Sequence, residues 1–99
     1  MLLGWGTTTT ERGSRSLRKE FRFRNFNEAW AFLTMIAMKA TQVNHHPKIT
    51  NLSASVRISL STHDSGNTIT EKDASLARYI DYVSKMFQLR DRPPRRAPF

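Results

Sequence analysis

The three histidines of this 99-residue chain, His45, His46 and His63, all fall in one stretch that runs from Asn44-His45-His46-Pro47 to Asp73. Imidazole titrates near neutral pH and is the side chain most often used to move protons in catalysis. Pro47 fixes its own φ and biases His46 before it toward extended backbone. His63 stands where the alternating segment Leu52 to Thr62 gives out. Two elements thus end on imidazoles, and catalytic groups concentrate at such junctions. The competing reading of a His-His pair before proline is a plain surface turn. A metal site is not expected, because adjacent residues of an extended chain point apart and few carboxylates lie near in sequence. Asp73 also has two compatible readings: it completes a helix capping box with Thr70, and it can orient a histidine.

Composition narrows the alternatives. Cysteine is absent, which removes disulfides, zinc–thiolate and iron–sulfur chemistry, and a thiol nucleophile. No glycine-rich loop of the phosphate-cradling kind occurs. Ninety-nine residues support one core. We expect one domain over residues 1–88, followed by a basic, proline-rich tail over residues 89–99. Met1-Leu2-Leu3 is too short for a signal sequence, and no apolar run approaches membrane-spanning length. A cytoplasmic protein is expected, with the nucleus as the alternative compartment.

The net charge of +8 raises nucleic acid as a partner. Its distribution argues against direct nucleic-acid binding. Residues 25–87 hold six basic and five acidic side chains, a net of +1. The excess lies in Arg12, Arg15, Arg18, Lys19, Arg22 and Arg24 before them, and in Arg90, Arg92, Arg95 and Arg96 after. Solvated ends account for that pattern without a basic face. Arg57, among serines, reads as solvated too.

The elements that must position the histidines are legible from periodicity. Trp5 to Thr10 suits an edge strand, and Glu11-Arg12-Gly13-Ser14 a turn. Leu17, Phe21 and Phe23 alternate with Arg18, Glu20, Arg22 and Arg24, a half-buried second strand in which Lys19 is the one polar intruder. Asn25 with Glu28 forms a capping box for a helix over residues 26–43. Its apolar stripe is Phe26, Ala29, Trp30, Leu33, Ile36, Ala37, Ala40 and Val43, widened by Phe32 and Met35. Lys48 to Asn51 reads as a brief strand before a bend. Leu52, Ala54, Val56, Ile58 and Leu60 then alternate with small polar residues as a longer one. Asp64 to Thr68 is a loop, and Thr70 caps a last helix whose stripe is Leu76, Ala77, Ile80, Val83 and Phe87, with Met86 beside it. Two strands, a helix, one or two strands and a helix give an α+β two-layer sandwich. Both helices would cover one face of an antiparallel sheet. The serine-rich face is left to water or to a weakly docked subunit.

Several of these segments together carry a specific likeness. They are Asn44-His45-His46-Pro47, Leu60-Ser61-Thr62-His63, Phe21-Arg22-Phe23 before Phe26-Asn27, and Trp30-Ala31-Phe32. Thr70-Glu71-Lys72-Asp73 with Leu76-Ala77 belongs to the set, as does Gly4-Trp5. Across residues 4–87 the chain resembles the pterin-4a-carbinolamine dehydratases, also known as dimerisation cofactors of a homeodomain transcription factor. The resemblance implies a ββαββα sandwich with a four-stranded antiparallel sheet, assembled as a homodimer or homotetramer. It implies removal of water from 4a-hydroxytetrahydrobiopterin to give quinonoid dihydrobiopterin, in tetrahydrobiopterin recycling. His45, His46 and His63 would be catalytic, Asp73 would support them, and Pro47, Ser61 and Thr62 would contact the substrate. Thr41, Ile49 and Ser53 stand where the family more often has a charged residue, a tryptophan and another aromatic.

The chemistry suits the residues. A carbinolamine loses water by proton traffic alone, with one group donating to the departing hydroxyl and another accepting the ring N–H proton. No metal or other cofactor is needed. His46 and His63 are expected at the hydroxyl and His45 at the ring nitrogen, all three around one cavity wide enough for a bicyclic ring. The alternative function is a non-catalytic dimerisation or coactivator module for a transcription factor on the same fold.

Overall fold

In the computed structural model the described residues are 2, 4–63 and 66–87. The element order is β1 (Gly6–Thr9), β2 (Arg15–Arg22), α1 (Phe26–Val43), β3 (Lys48–Leu52), β4 (Ser55–Leu60) and α2 (Glu71–Phe87). The strands form one antiparallel sheet in the order β1-β2-β4-β3, so the second hairpin enters beside the inner strand of the first. This is the ββαββα α+β sandwich. The expected tail, residues 89–99, lies outside the described residues, as do Asp64 and Ser65 of the loop.

The core shows which sheet face the helices cover. Leu17, Phe21 and Phe23 from the β2 segment and Val56, Ile58 and Leu60 from β4 meet Phe32, Leu33 and Ile36 of α1 and Leu76, Ile80 and Val83 of α2. Phe32 sits at the centre, with ring centroids 4.7 Å from Phe23 and 5.2 Å from Phe21. Lys19 points to this same face, and the structure explains the intrusion. Its Nζ is 2.8 Å from Asp81 Oδ1 on α2, and Trp5 Nε1 donates to both oxygens of that carboxylate. The chain before β1 is thereby tied across the sheet to α2.

Three expectations need correction. The buried arc of α1 is Ala29, Phe32, Leu33, Ile36 and Ala40. Phe26 and Trp30, expected in the stripe, are each half exposed. Leu52 belongs to β3 and is exposed; a tight turn at Ser53-Ala54 separates it from β4, with Ser53 at φ 55°. Arg57 is not merely solvated: it forms an ion pair with Glu20 at 3.0 Å, directly across the β2–β4 ladder. Arg18 and Arg22 alternate with the buried β2 residues and so lie on the sheet face that the helices leave uncovered.

The caps formed largely as read. Asn25 Oδ1 accepts from the Glu28 N–H at 2.8 Å, while the Glu28 carboxylate reaches back to the N–H of Arg24. No helix among the described residues is long and apolar enough to cross a membrane.

Candidate active site

The end of α1 delivers the first imidazole. Asn44 adopts the left-handed conformation, φ 54° and ψ 45°, which asparagine tolerates better than most residues. Its N–H bonds to the carbonyl of Thr41, and the N–H of His45 bonds to that of Ala40. This pair of bonds is a Schellman motif. The helix therefore stops at Asn44, three residues before Pro47, and His45 leaves it at a fixed angle.

The end of β4 and the start of α2 supply what His45 meets. His45 Nε2 lies 2.6 Å from Asp73 Oδ1. The other carboxylate oxygen, Oδ2, accepts from the Thr62 hydroxyl at 2.6 Å and from the Thr70 N–H at 2.9 Å. Asp73 is fully buried. A buried carboxylate is tolerated only when its oxygens are hydrogen-bonded, and all three of these contacts are donors when Nε2 carries the hydrogen. Thr62 has one hydroxyl hydrogen, which goes to Asp73. Thr70 Oγ1, 2.6 Å away, must then donate to Thr62, while itself accepting from the Lys72 N–H at 3.3 Å. The network runs Lys72 to Thr70 to Thr62 to Asp73, with His45 at the far side. Asp73 closes the capping box and orients the histidine at once.

Thr62 is 2% exposed, so its hydroxyl serves Asp73 rather than the surface. A hydrogen bond to a charged acceptor contributes about 1.5–3 kcal/mol. Thr62→Val keeps the shape and removes that bond. We expect a fall in the thermal midpoint on the order of 10 °C for a domain of this size, measured by calorimetry.

Among the described residues, His45 and His63 line two different hollows. His45, with its side chain 11% exposed, lines an open hollow of about 330 Å³ between the end of α1 and the start of α2. Its walls are Val43 and Leu76, with Lys39, Glu71, Lys72 and Ser75 around them. His63 is exposed and lines a different hollow of about 320 Å³, with Arg15, Asn67 and several hydroxyls. Its Nδ1 is 2.6 Å from Asn67 Oδ1, held by a loop residue at φ 56°. Ser61 belongs to that second hollow, and its hydroxyl donates to the carbonyl of Arg15 at 2.8 Å. His46 is exposed and Pro47 partly so, next to the His45 site in the chain. The sequence thus pointed to His45, Thr62 and Asp73, which the fold brings together, and to His63, which it places against another wall. Lys39 and Lys72 were not anticipated. Their only sequence signal was proximity: Lys39 precedes Val43 by one helical turn, and Lys72 precedes Asp73.

The sequence and the fold both have known relatives. A protein of Paraburkholderia xenovorans, provisionally described as a pterin-4-alpha-carbinolamine dehydratase, is 41% identical over 83 residues, covering 84% of this chain and 82% of the relative. A Burkholderia ambifaria protein with the same provisional description is 46% identical over 71 residues, 72% of this chain and 69% of the relative. Among solved structures, a transcriptional coactivator/pterin dehydratase from Brucella melitensis superposes with a TM-score of 0.74 at 30% identity, covering 84% of both chains. A pterin dehydratase-like protein identified as a RuBisCO assembly factor in the alpha-carboxysome shares the fold, with a TM-score of 0.68 at 23% identity over 82% of this chain and 89% of its own. The family model for pterin 4 alpha carbinolamine dehydratase matches residues 1–83. With that match over most of its length, the chain belongs to the pterin 4 alpha carbinolamine dehydratase family.

Proposed function

We propose that this protein dehydrates 4a-hydroxytetrahydrobiopterin to quinonoid dihydrobiopterin in the hollow against His45, as a step of tetrahydrobiopterin recycling. The observation that carries the reading is the 2.6 Å contact between His45 Nε2 and the buried Asp73 carboxylate. With Nε2 holding its hydrogen toward Asp73, Nδ1 is the nitrogen left to accept a proton. In the proposed step Nδ1 takes the proton from the ring N–H, the nitrogen lone pair forms the C=N bond, and the C4a–O bond breaks. A proton returned to the leaving hydroxyl completes water. The buried carboxylate stabilises the imidazolium between the two transfers, much as a carboxylate steadies the histidine of a hydrolytic triad. His46 and His63 stay in the proposed catalytic set as groups at the hydroxyl, ranked behind His45 because neither ring lines its hollow. Pro47 and Ser61 are proposed substrate contacts, and Thr62 acts through Asp73.

The test is the loss of freshly generated 4a-hydroxytetrahydrobiopterin, followed with and without the protein. Catalysis above the spontaneous rate supports the reading, and no acceleration at micromolar protein contradicts it.

A second reading, an assembly and coactivator module, is favoured by a different observation. Phe26 and Trp30, with ring centroids 6.1 Å apart, are half exposed on α1, and Met38 and Tyr82 are more exposed still. Exposed apolar surface of this kind marks interfaces. A homodimer or homotetramer is the proposed assembly, with a transcription factor as the proposed further partner and the cytoplasm as the proposed compartment. The two readings separate by experiment: Trp30→Glu disturbs assembly, whereas His45→Gln disturbs only dehydration.

A further inference from the structure

Three of the cations converge on the sheet face that the helices leave uncovered. Residues opposite each other in a ladder share a face, and this one carries three rows across the sheet. Lys48, Ser59 and Arg18 stand in the first row, Thr50, Arg57 and Glu20 in the second, and Leu52, Ser55 and Arg22 in the third. We propose that this uncovered face docks an acidic polypeptide segment whose carboxylates pair with Arg18, Arg22 and Lys48. The surface is separate from the hollow at His45 and does not depend on the pterin reading.

Elsewhere the fold supplies its cations with partners: Lys19 has Asp81, Arg24 has Glu28 and Arg78 has Glu71. On the open face the one carboxylate among the strand residues, Glu20, is taken by Arg57 at 3.0 Å. The side chains of Arg18, Arg22 and Lys48 make no ion pair or hydrogen bond with a described residue. Arg22 Nε is buried and has no acceptor among those residues, a state that any partner bringing an acceptor relieves. Opposite Arg18 in β1 stands Gly6, which has no side chain to fill the space. An open hollow of about 440 Å³ results, lined by Gly6, Thr8, Arg18 and Glu20 among others, where a carboxylate can enter beside Arg18.

Spacing and charge select the occupant. Arg18 and Arg22 are four residues apart on β2, about 13 Å, and Lys48 is two strands from Arg18, about 10 Å. An extended segment with a carboxylate at every second residue, laid along β2, meets both arginines at once. Guanidinium and carboxylate then pair through two parallel hydrogen bonds. Nucleic acid fits less well. Glu20 interrupts the track of cations, and no strand residue of this face is an aromatic on which a base could stack. A second copy laid face to face would set like charges against one another.

The experiment titrates the full chain into labelled probes, read by fluorescence anisotropy. The probes are a short Glu-Thr repeat peptide, its Gln-Thr counterpart and a thymidine oligonucleotide of the same charge as the first. We expect the Glu-Thr peptide to bind about tenfold tighter than the Gln-Thr peptide at low salt. The preference should shrink in about 0.5 M salt. The Arg18→Gln/Arg22→Gln/Lys48→Gln variant should lose it, whereas Arg92→Gln/Arg95→Gln/Arg96→Gln, an equal loss of charge, should keep most of it. In the unaltered, isotope-labelled chain, amide shifts caused by the Glu-Thr peptide should concentrate in β2, β3 and β4, a readout that needs no variant to fold. Equal losses in the two variants, or shifts concentrated outside the sheet, overturn the proposal, because net charge or another surface then accounts for binding. Equal affinity for the two peptides, or binding of neither, overturns it as well. Tighter binding of the oligonucleotide than of the Glu-Thr peptide overturns the choice of a polypeptide as occupant.

Discussion

Replacing His45 by glutamine is expected to lower the proposed carbinolamine dehydration rate by about 10²–10⁴-fold, the contribution of one positioned proton-transfer group. Glutamine is chosen because its amide N–H can still donate to Asp73 Oδ1. The buried carboxylate then keeps a partner, and the thermal midpoint stays close to that of the parent chain. Loss of rate without loss of fold separates catalysis from scaffold. The same substitution at His63 should cost less, because that ring lines the hollow shared with Arg15 and Asn67 rather than the one at His45. Rates from a stopped-flow assay of freshly generated substrate give the comparison. A His63→Gln defect larger than the His45→Gln defect would reverse the order of importance argued from the geometry.

Asp73→Asn is expected to reduce the same rate to a similar degree through a different cause. An asparagine has one acceptor oxygen and one donating amide. Thr62 and the Thr70 N–H both require an acceptor where Oδ2 now stands, so the amide nitrogen is driven toward His45. His45 Nε2 must then accept, which moves the ring hydrogen to Nδ1 and blunts the nitrogen proposed to take the substrate's proton. Exchanging the carboxylate of a catalytic triad for an amide has this consequence, with a loss near 10⁴-fold. Asp73→Ala carries a further penalty, because it leaves the Thr62 hydroxyl, the Thr70 N–H and His45 without their shared acceptor. Each buried donor left without an acceptor costs about 1–3 kcal/mol, so this variant should be markedly less stable, whereas the asparagine variant should fold. Kinetics with the asparagine variant and thermal unfolding of the alanine variant measure the two effects separately.

Much of the architecture was written in local chemistry. The Asn25–Glu28 cap and the helical recurrence of apolar residues placed α1 at residues 26–43, where the structure has it. The tetrad Thr70 to Asp73 marked the start of α2 in the same way. What periodicity could not do was choose between two apolar arcs on α1. Phe26 and Trp30 are spaced for a helix as well as Phe32 and Ile36 are, and only the sheet decides which arc is buried. The β3–β4 turn was hidden for a related reason. Leu52 and Val56 keep the same parity across Ser53-Ala54, so alternation ran through the bend, and no glycine advertised the positive φ at Ser53. Lys19 looked like an error in its strand until Asp81, 62 residues away, supplied its partner.

The site was legible in its members and not in its arrangement. Sequence marks Asp73 as a capping residue, yet one carboxylate oxygen suffices for the cap, and the partner of the other is 28 residues earlier. Thr62 and His63 are neighbours on a chain leaving a strand, and one turns into the core while the other turns out. Motif reading carries both to the same site. Backbone geometry separates them.

The most direct measurement is a crystal structure of the protein with an oxidised, unreactive pterin bound. The ring is predicted to lie between Val43 and Leu76 with one of its ring nitrogens within about 2.6–3.2 Å of His45 Nδ1, the reach of a proton-transfer contact. A pterin seated in the hollow of His63 and Arg15, with His45 still turned to Asp73 and out of reach, would contradict the account.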